Sequence, residues 1–141
     1  TVLRLLQLGV LPIVNENDTI STDEIVIGDN DTLGAIVAKA VNADLFILLS
    51  DIDGLFTADP HKDENVQLIS VVEEITPEIE KMTGGAGSKL GTGGMTTKIK
   101  AAVTANAAGI DMVIANGKNP KLLYDILDGK SVGTKFLAKK A

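Results

Sequence analysis

Residues 31–54 read DTLGAIVAKAVNADLFILLSDIDG, and the change of period inside this stretch decides the fold class. Leu33, Ile36, Val37, Ala40 and Val41 recur at helical spacing, the stripe of a helix packed on a core. Asp29 or Asn30 is the natural N-cap. Leu45 to Leu49 (LFILL) then form an unbroken apolar run of strand length, as in a central parallel strand covered on both faces. Asp51, Asp53 and Gly54 follow its carboxyl end.

Outward from this point, strand and helix signals alternate. Downstream, VQLISVV is a possible strand, TPEIEKM a short helix, and Gly84 to Gly94 a glycine-dense loop. Thr96 to Ala108 reads as a helix with Ile99, Ala102, Val103 and Ala107 inward, and Asp111 to Ala115 as a buried strand. Pro120 to Leu127 reads as a further helix, with Leu122, Leu123, Ile126 and Leu127 inward. Upstream, Val2, Leu5 and Leu6 suggest a helix stopped at Gly9, Val10 to Val14 a short run of buried-strand character that Pro12 places at an edge or bulge, and Glu24 to Ile27 a segment too short to classify. This βαβα alternation predicts a mostly parallel sheet with helices on both faces, whose ligands bind beyond the carboxyl ends of the strands.

Composition narrows the function. The 141 residues are 45% hydrophobic and 23% charged, enough for one core. The absence of Cys excludes thiolate chemistry, and the single His61 cannot build a multi-histidine metal site. A net charge of −6 and 3% aromatics disfavour nucleic acid as a partner. No apolar run approaches the roughly eighteen residues of a membrane span, and no leader signal stands at the N-terminus, so a cytoplasmic protein without a membrane partner is expected.

Six of the fourteen glycines crowd into positions 84–94, a loop that runs into a helix, and Lys89 and Lys98 bracket its GTGGMTTK stretch. Such a loop can bring backbone N–H groups, a helix dipole and point charges to a phosphate. It equally fits a solvated surface loop. The phosphate motifs with fixed spacing fail: Tyr124 stands where Walker A before Gly129-Lys130-Ser131 needs Gly, and Thr96 where GxGxxG needs its third Gly. Leu55 likewise removes the third acid of a calcium loop from the DxDG run. Two acid and amide clusters, Asn15-Glu16-Asn17-Asp18 and Asp29-Asn30-Asp31, suit either a zwitterionic ligand or turn and cap chemistry. For Asp29 the cap is preferred.

PIVNENDTIST (12–22), GDNDTLGAIVA (28–38), LLSDIDGLFTADP (48–60) and GTGGMTTKIKAA (91–102), in this order and spacing, resemble the glutamate 5-kinase branch of the amino-acid kinase family. The resemblance runs over essentially the whole chain. It implies a three-layer α/β/α sandwich, a transfer of phosphate from ATP with Mg²⁺ to the γ-carboxylate of L-glutamate as the first step of proline biosynthesis, feedback by proline, and a homo-oligomer. By the same resemblance, Asp18 and Asn30 match glutamate-binding residues, and Ser50 and Asp51 match a nucleotide-contacting pair, with Ser50 where Thr is common. Thr92, Gly93, Gly94, Met95, Thr96, Thr97 and Lys98 match the ATP loop. Lys98 is its catalytic lysine, and Asp31 is the acid that orients catalytic lysines.

The family's upstream glycine-rich loop and second lysine have no counterpart here. Residues 1–141 therefore correspond to the C-terminal portion of the kinase domain, the nucleotide-binding half plus part of the glutamate site, with the N-terminal part missing. Missing strands would leave an open sheet edge and apolar surface, so self-association is expected. Rival readings are another amino-acid kinase acting on a carboxylate, carbamate or nucleoside monophosphate, and a non-catalytic nucleotide-binding fragment.

Overall fold

A computed structural model describes residues 1–15, 29–83 and 93–139. In chain order the elements are α1 (Val2–Gln7), α2 (Asn30–Ala40), β1 (Leu45–Ser50), β2 (Val71–Val72), α3 (Pro77–Thr83), α4 (Gly93–Ala107), β3 (Asp111–Asn116), α5 (Leu122–Leu127) and β4 (Thr134–Phe136). The four strands form one sheet in the order β1-β3-β4-β2. β1 and β3 pair in parallel from Leu45 opposite Asp111 to Ser50 opposite Asn116. β2 and β4 are also parallel, while β3 and β4 are antiparallel, so the sheet is mixed.

Alternation along the strands divides the side chains between two cores. On one face Leu48, Met112, Ile114 and Phe136 pack beneath α2 and α4, against Ala35, Ala38, Met95, Ile99, Ala102 and Ala105. On the other, Val113 and Ala115 meet Ile126 of α5, with Leu45, Ile47 and Leu122 alongside. The sequence-predicted α/β/α layering is thus present. Met112, Ile114 and Phe136 are fully buried, and each contributes roughly 1.5–3 kcal/mol by leaving water.

Two turns align the helices with the strands. α2 ends at Asn42 (φ 53), where Ala43 N–H reaches Ala38 O at 2.9 Å, and α4 ends at Gly109 (φ 78), where Ile110 N–H reaches Ala105 O at 3.0 Å. In both, a left-handed residue closes the helix and turns the chain straight into β1 or β3.

The inward stripes differ from those predicted. α2 buries Ala35 and Ala38 and leaves Ile36 exposed; in α4 Val103 and Ala107 face outward, and in α5 Leu127 is 71% exposed. The cause is that α2 and α4 pack on each other as well as on the sheet, and alanines suit that close approach better than branched residues. Val10 to Val14 is not a strand: Leu11 and Ile13 are 84% and 92% exposed, and among the described residues no strand runs beside them to complete a ladder. VQLISVV contributes only Val71–Val72 and a bridge from Leu68 to Phe56. Glu24 to Ile27 lies outside the described residues. Among these no helix is long and apolar enough to cross a membrane.

Candidate active site at the carboxyl edge of the sheet

Each of α2 and α4 runs back over the sheet before its reversing turn, so their first turns lie toward the carboxyl ends of β1 and β3. α2 begins where predicted. Asp29, in extended conformation, caps it by accepting from Thr32 N–H at 2.6 Å and Thr32 Oγ1 at 2.8 Å. With the cap assigned to Asp29, the neighbouring Asp31 is available to α4.

Asp31 Oδ2 accepts from Lys98 Nζ at 3.0 Å and from Thr97 Oγ1 at 2.7 Å. The Lys98 and Asp31 side chains are only 14% and 20% exposed, so their attraction is less screened than that of a surface pair. The lysine is thereby held at the first turns of a fifteen-residue helix that has no acidic residue in its first turn. A cation and a helix N-terminus together favour an anion here.

The remaining predicted residues divide. Asn30 is exposed at the start of α2. Gly93 and Gly94 open α4, and Met95 sends its side chain into the core, leaving only its backbone for a ligand. Thr96 Oγ1 donates to Thr83 O and so ties α4 to the end of α3. Ser50 Oγ donates to Asp51 Oδ1 at 3.1 Å where β1 ends. Asp18 and Thr92 lie outside the described residues.

Two further residues at this edge escaped the sequence reading. Asn116, the last residue of β3, donates through Nδ2 to Asp53 Oδ1 at 2.9 Å, and Gly117 N–H donates to Ser50 O at 2.8 Å. These bonds fasten the loop after β1 to the end of β3 and fix the backbone around Ser50 and Asp51. The DxDG run pointed to Asp53, but only as a failed calcium loop; nothing in the sequence marked Asn116. A groove of about 610 Å³ also runs between α2, α3 and α4, with Thr32, Glu80, Thr96 and Lys100 among its walls. Its described walls include neither Asp31 nor Lys98.

The sequence profile of the amino acid kinase family matches residues 1–116. A glutamate 5-kinase of Clostridium perfringens is 57% identical over 96% of the chain and 52% of its own length. One of Burkholderia multivorans is 52% identical over 100% of the chain and 38% of its own length. The chain thus spans about half, or less, of these relatives. Among solved structures, carbamate kinase from Giardia lamblia bound to AMP-PNP superposes with TM-score 0.59 at 25% identity, over 93% of this chain and 42% of that one. UMP kinase from Bacillus anthracis superposes with TM-score 0.58 at 17% identity, over 78% and 41%, a likeness of fold.

Proposed function

The chain belongs to the amino acid kinase family, and from that premise we propose that it carries the nucleotide half, with part of the acceptor site, of an enzyme that phosphorylates the γ-carboxylate of L-glutamate with ATP. The observation that carries this reading is Lys98, held 3.0 Å from Asp31 at the start of α4. Phosphoryl transfer asks the protein mainly to align two oxygens and neutralise charge on the phosphoryl oxygens. A lysine steered by a carboxylate, beside a helix N-terminus, is suited to that task. The choice of glutamate is supported by the glutamate 5-kinases with 52–57% identity.

In this reading a γ-carboxylate oxygen of glutamate attacks the terminal phosphorus, the new O–P bond forms, and the bond to the bridging oxygen of ADP breaks. The acceptor is ionised near neutral pH, so no general base is needed. Lys98 offers its charge to the transferring group, and Asp31 orients Lys98. The N–H groups of Gly93, Gly94 and Met95, with Thr92, Thr96 and Thr97, form the phosphate loop, while Ser50 and Asp51 meet the rest of the nucleotide. Asn30 and Asp18 hold glutamate. Among the described residues no three His, Cys, Asp or Glu side chains gather into a cation cage. We assign Mg²⁺ to the nucleotide's own phosphates, the usual place for that ion in phosphoryl transfer. Feedback by proline, a homo-oligomeric assembly and a cytoplasmic location belong to the same reading.

ADP release by the chain with ATP, Mg²⁺ and, in turn, glutamate, aspartate, acetylglutamate and UMP tests the proposal. Glutamate should be preferred, and preference for any other acceptor overturns it. The chain's 38–52% share of its relatives' length favours one second reading, a nucleotide-binding piece without turnover. Calorimetric binding of ATP without glutamate-dependent ADP formation would support that alternative.

A further inference from the structure

We propose that Thr97 is a positioning residue: its hydroxyl keeps the Asp31 carboxylate hydrogen-bonded when Lys98 turns from Asp31 to the phosphoryl group being transferred. This rests on the phosphoryl-transfer reading above, and it gives Thr97 a task other than contact with the nucleotide. Lys98 and Thr97 both point at the same oxygen, Asp31 Oδ2, at 3.0 and 2.7 Å. Asp31 is 20% exposed, so water can replace a lost donor only in part. Drawing the ammonium away therefore strands a carboxylate in a poorly hydrated place, and that cost opposes the movement catalysis requires.

The Thr97 hydroxyl has one hydrogen and two acceptors in reach, Asp31 Oδ2 at 2.7 Å and Gly94 O at 2.9 Å. It can serve only one at a time. With Lys98 on Asp31, the hydroxyl can rest on its own helix at Gly94. Once Lys98 leaves, the same hydroxyl gives Asp31 a charge-assisted bond. The exchange needs only a hydroxyl rotation, because both acceptors already lie at hydrogen-bond distance. Lys98 is released at lower cost, and Asp31 remains in place to receive it again.

Thr97→Val keeps the shape and removes the donor, whereas Thr97→Ser keeps the donor. In the chain as it stands, two readouts are compared among wild type, Thr97→Val and Thr97→Ser, with circular dichroism to confirm the fold. The first is acylation of Lys98 by acetic anhydride without nucleotide, read by peptide mass spectrometry. Thr97→Val should slow it about fivefold, because Asp31 then holds Lys98 as its main donor, and Thr97→Ser should restore it. The second is glutamate-dependent ADP release. Here kcat should fall about tenfold in Thr97→Val, with the glutamate KM within about twofold, and recover in Thr97→Ser. Wild-type acylation in Thr97→Val overturns the proposal, as does an unchanged kcat or a loss confined to KM. A wild-type chain that releases no ADP with glutamate favours the second reading, a nucleotide-binding piece without turnover, and the acylation comparison then decides the role of Thr97.

Discussion

Lys98 Nζ and Asp31 Oδ2 stand 3.0 Å apart although 67 positions separate them in the chain. The contact exists because α2 and α4 lie side by side, both with their first turns toward the carboxyl edge of the sheet. On the glutamate kinase reading proposed above, Lys98→Met should lower kcat by about 100-fold or more, the usual scale for removing one preorganised charge-stabilising group. Glutamate KM should change far less, because the lost contact strengthens in the transition state. Initial rates at saturating ATP and glutamate check this; a kcat within threefold of wild type would falsify the catalytic assignment of Lys98.

Thr134 should matter to stability as Lys98 does to turnover. Its fully buried hydroxyl accepts from Leu55 N–H at 2.8 Å and donates to Ile69 O at 2.6 Å, joining β4 to the loop that follows β1. Valine of the same shape leaves both backbone groups unpaired, at a cost of about 2–4 kcal/mol. Thr134→Ser should cost less than half of that. Urea melts of the two variants test it, and equal losses would mean that methyl packing, not the hydroxyl, holds the loop.

How much of this was readable beforehand depends on the range of the interaction. The Asp29 cap, the helix stop at Gly9 and the runs at Leu45 and Asp111 are local, and each appears where the residues indicate. The inward faces of α2 and α4 were legible only in part: Ile99 and Ala102 are buried as expected, but Ala35, Ala38 and Ala105, which carry little hydropathy, are what two closely packed helices place between them. Strand β4 escaped because its three residues owe their conformation to β3 and β2. The Asp31–Lys98 pair follows from no spacing rule, and only the family resemblance linked the two residues. Asn116 stood out in neither way, since its partner Asp53 is distant in sequence.

Gly109 and Gly133 both have positive φ, but they should respond differently to alanine. Gly109 (φ 78) has open space where a Cβ would stand, so Gly109→Ala should cost only the left-handed penalty of about 1–2 kcal/mol. At Gly133 (φ 64) a Cβ would run into Ile114 O, inside the backbone of β3. Gly133→Ala should therefore fail to reach the native state or melt far below Gly109→Ala. Similar melting temperatures for the two would show that the chain after α5 can move away from β3.

Glu78, in the first turn of α3, has its carboxyl held below the ordinary glutamate value, first by a backbone hydrogen bond at its own residue and then by the Thr76 side chain. The folded state thus prefers the ionised form. Its contribution is present above the unfolded-state value and is lost as the pH falls through the lowered folded one. A carbon-detected NMR titration of Glu78 should give a midpoint below that of a free glutamate. Thr76→Ala should raise the midpoint without fully restoring it, because the larger cause remains.

Along residues 3–14, Leu3, Leu6, Leu8, Val10, Leu11, Ile13 and Val14 are all exposed, and α1 buries none of its residues. Leu11 and Ile13 are the most open, at 84% and 92%. Contiguous apolar surface of this kind draws chains together. β1 adds a second site of adhesion, since among the described residues only β3 pairs with it and its outer edge offers unpaired N–H and C=O groups. Sedimentation velocity over a hundredfold concentration range should show self-association. The double change Leu11→Lys, Ile13→Lys should weaken it at least about tenfold, because desolvating two ammonium groups opposes the contact while no buried side chain is disturbed. If association persists unchanged in the double variant, the β1 edge becomes its source, and a charge at Leu49, an exposed position within that strand, is the next test.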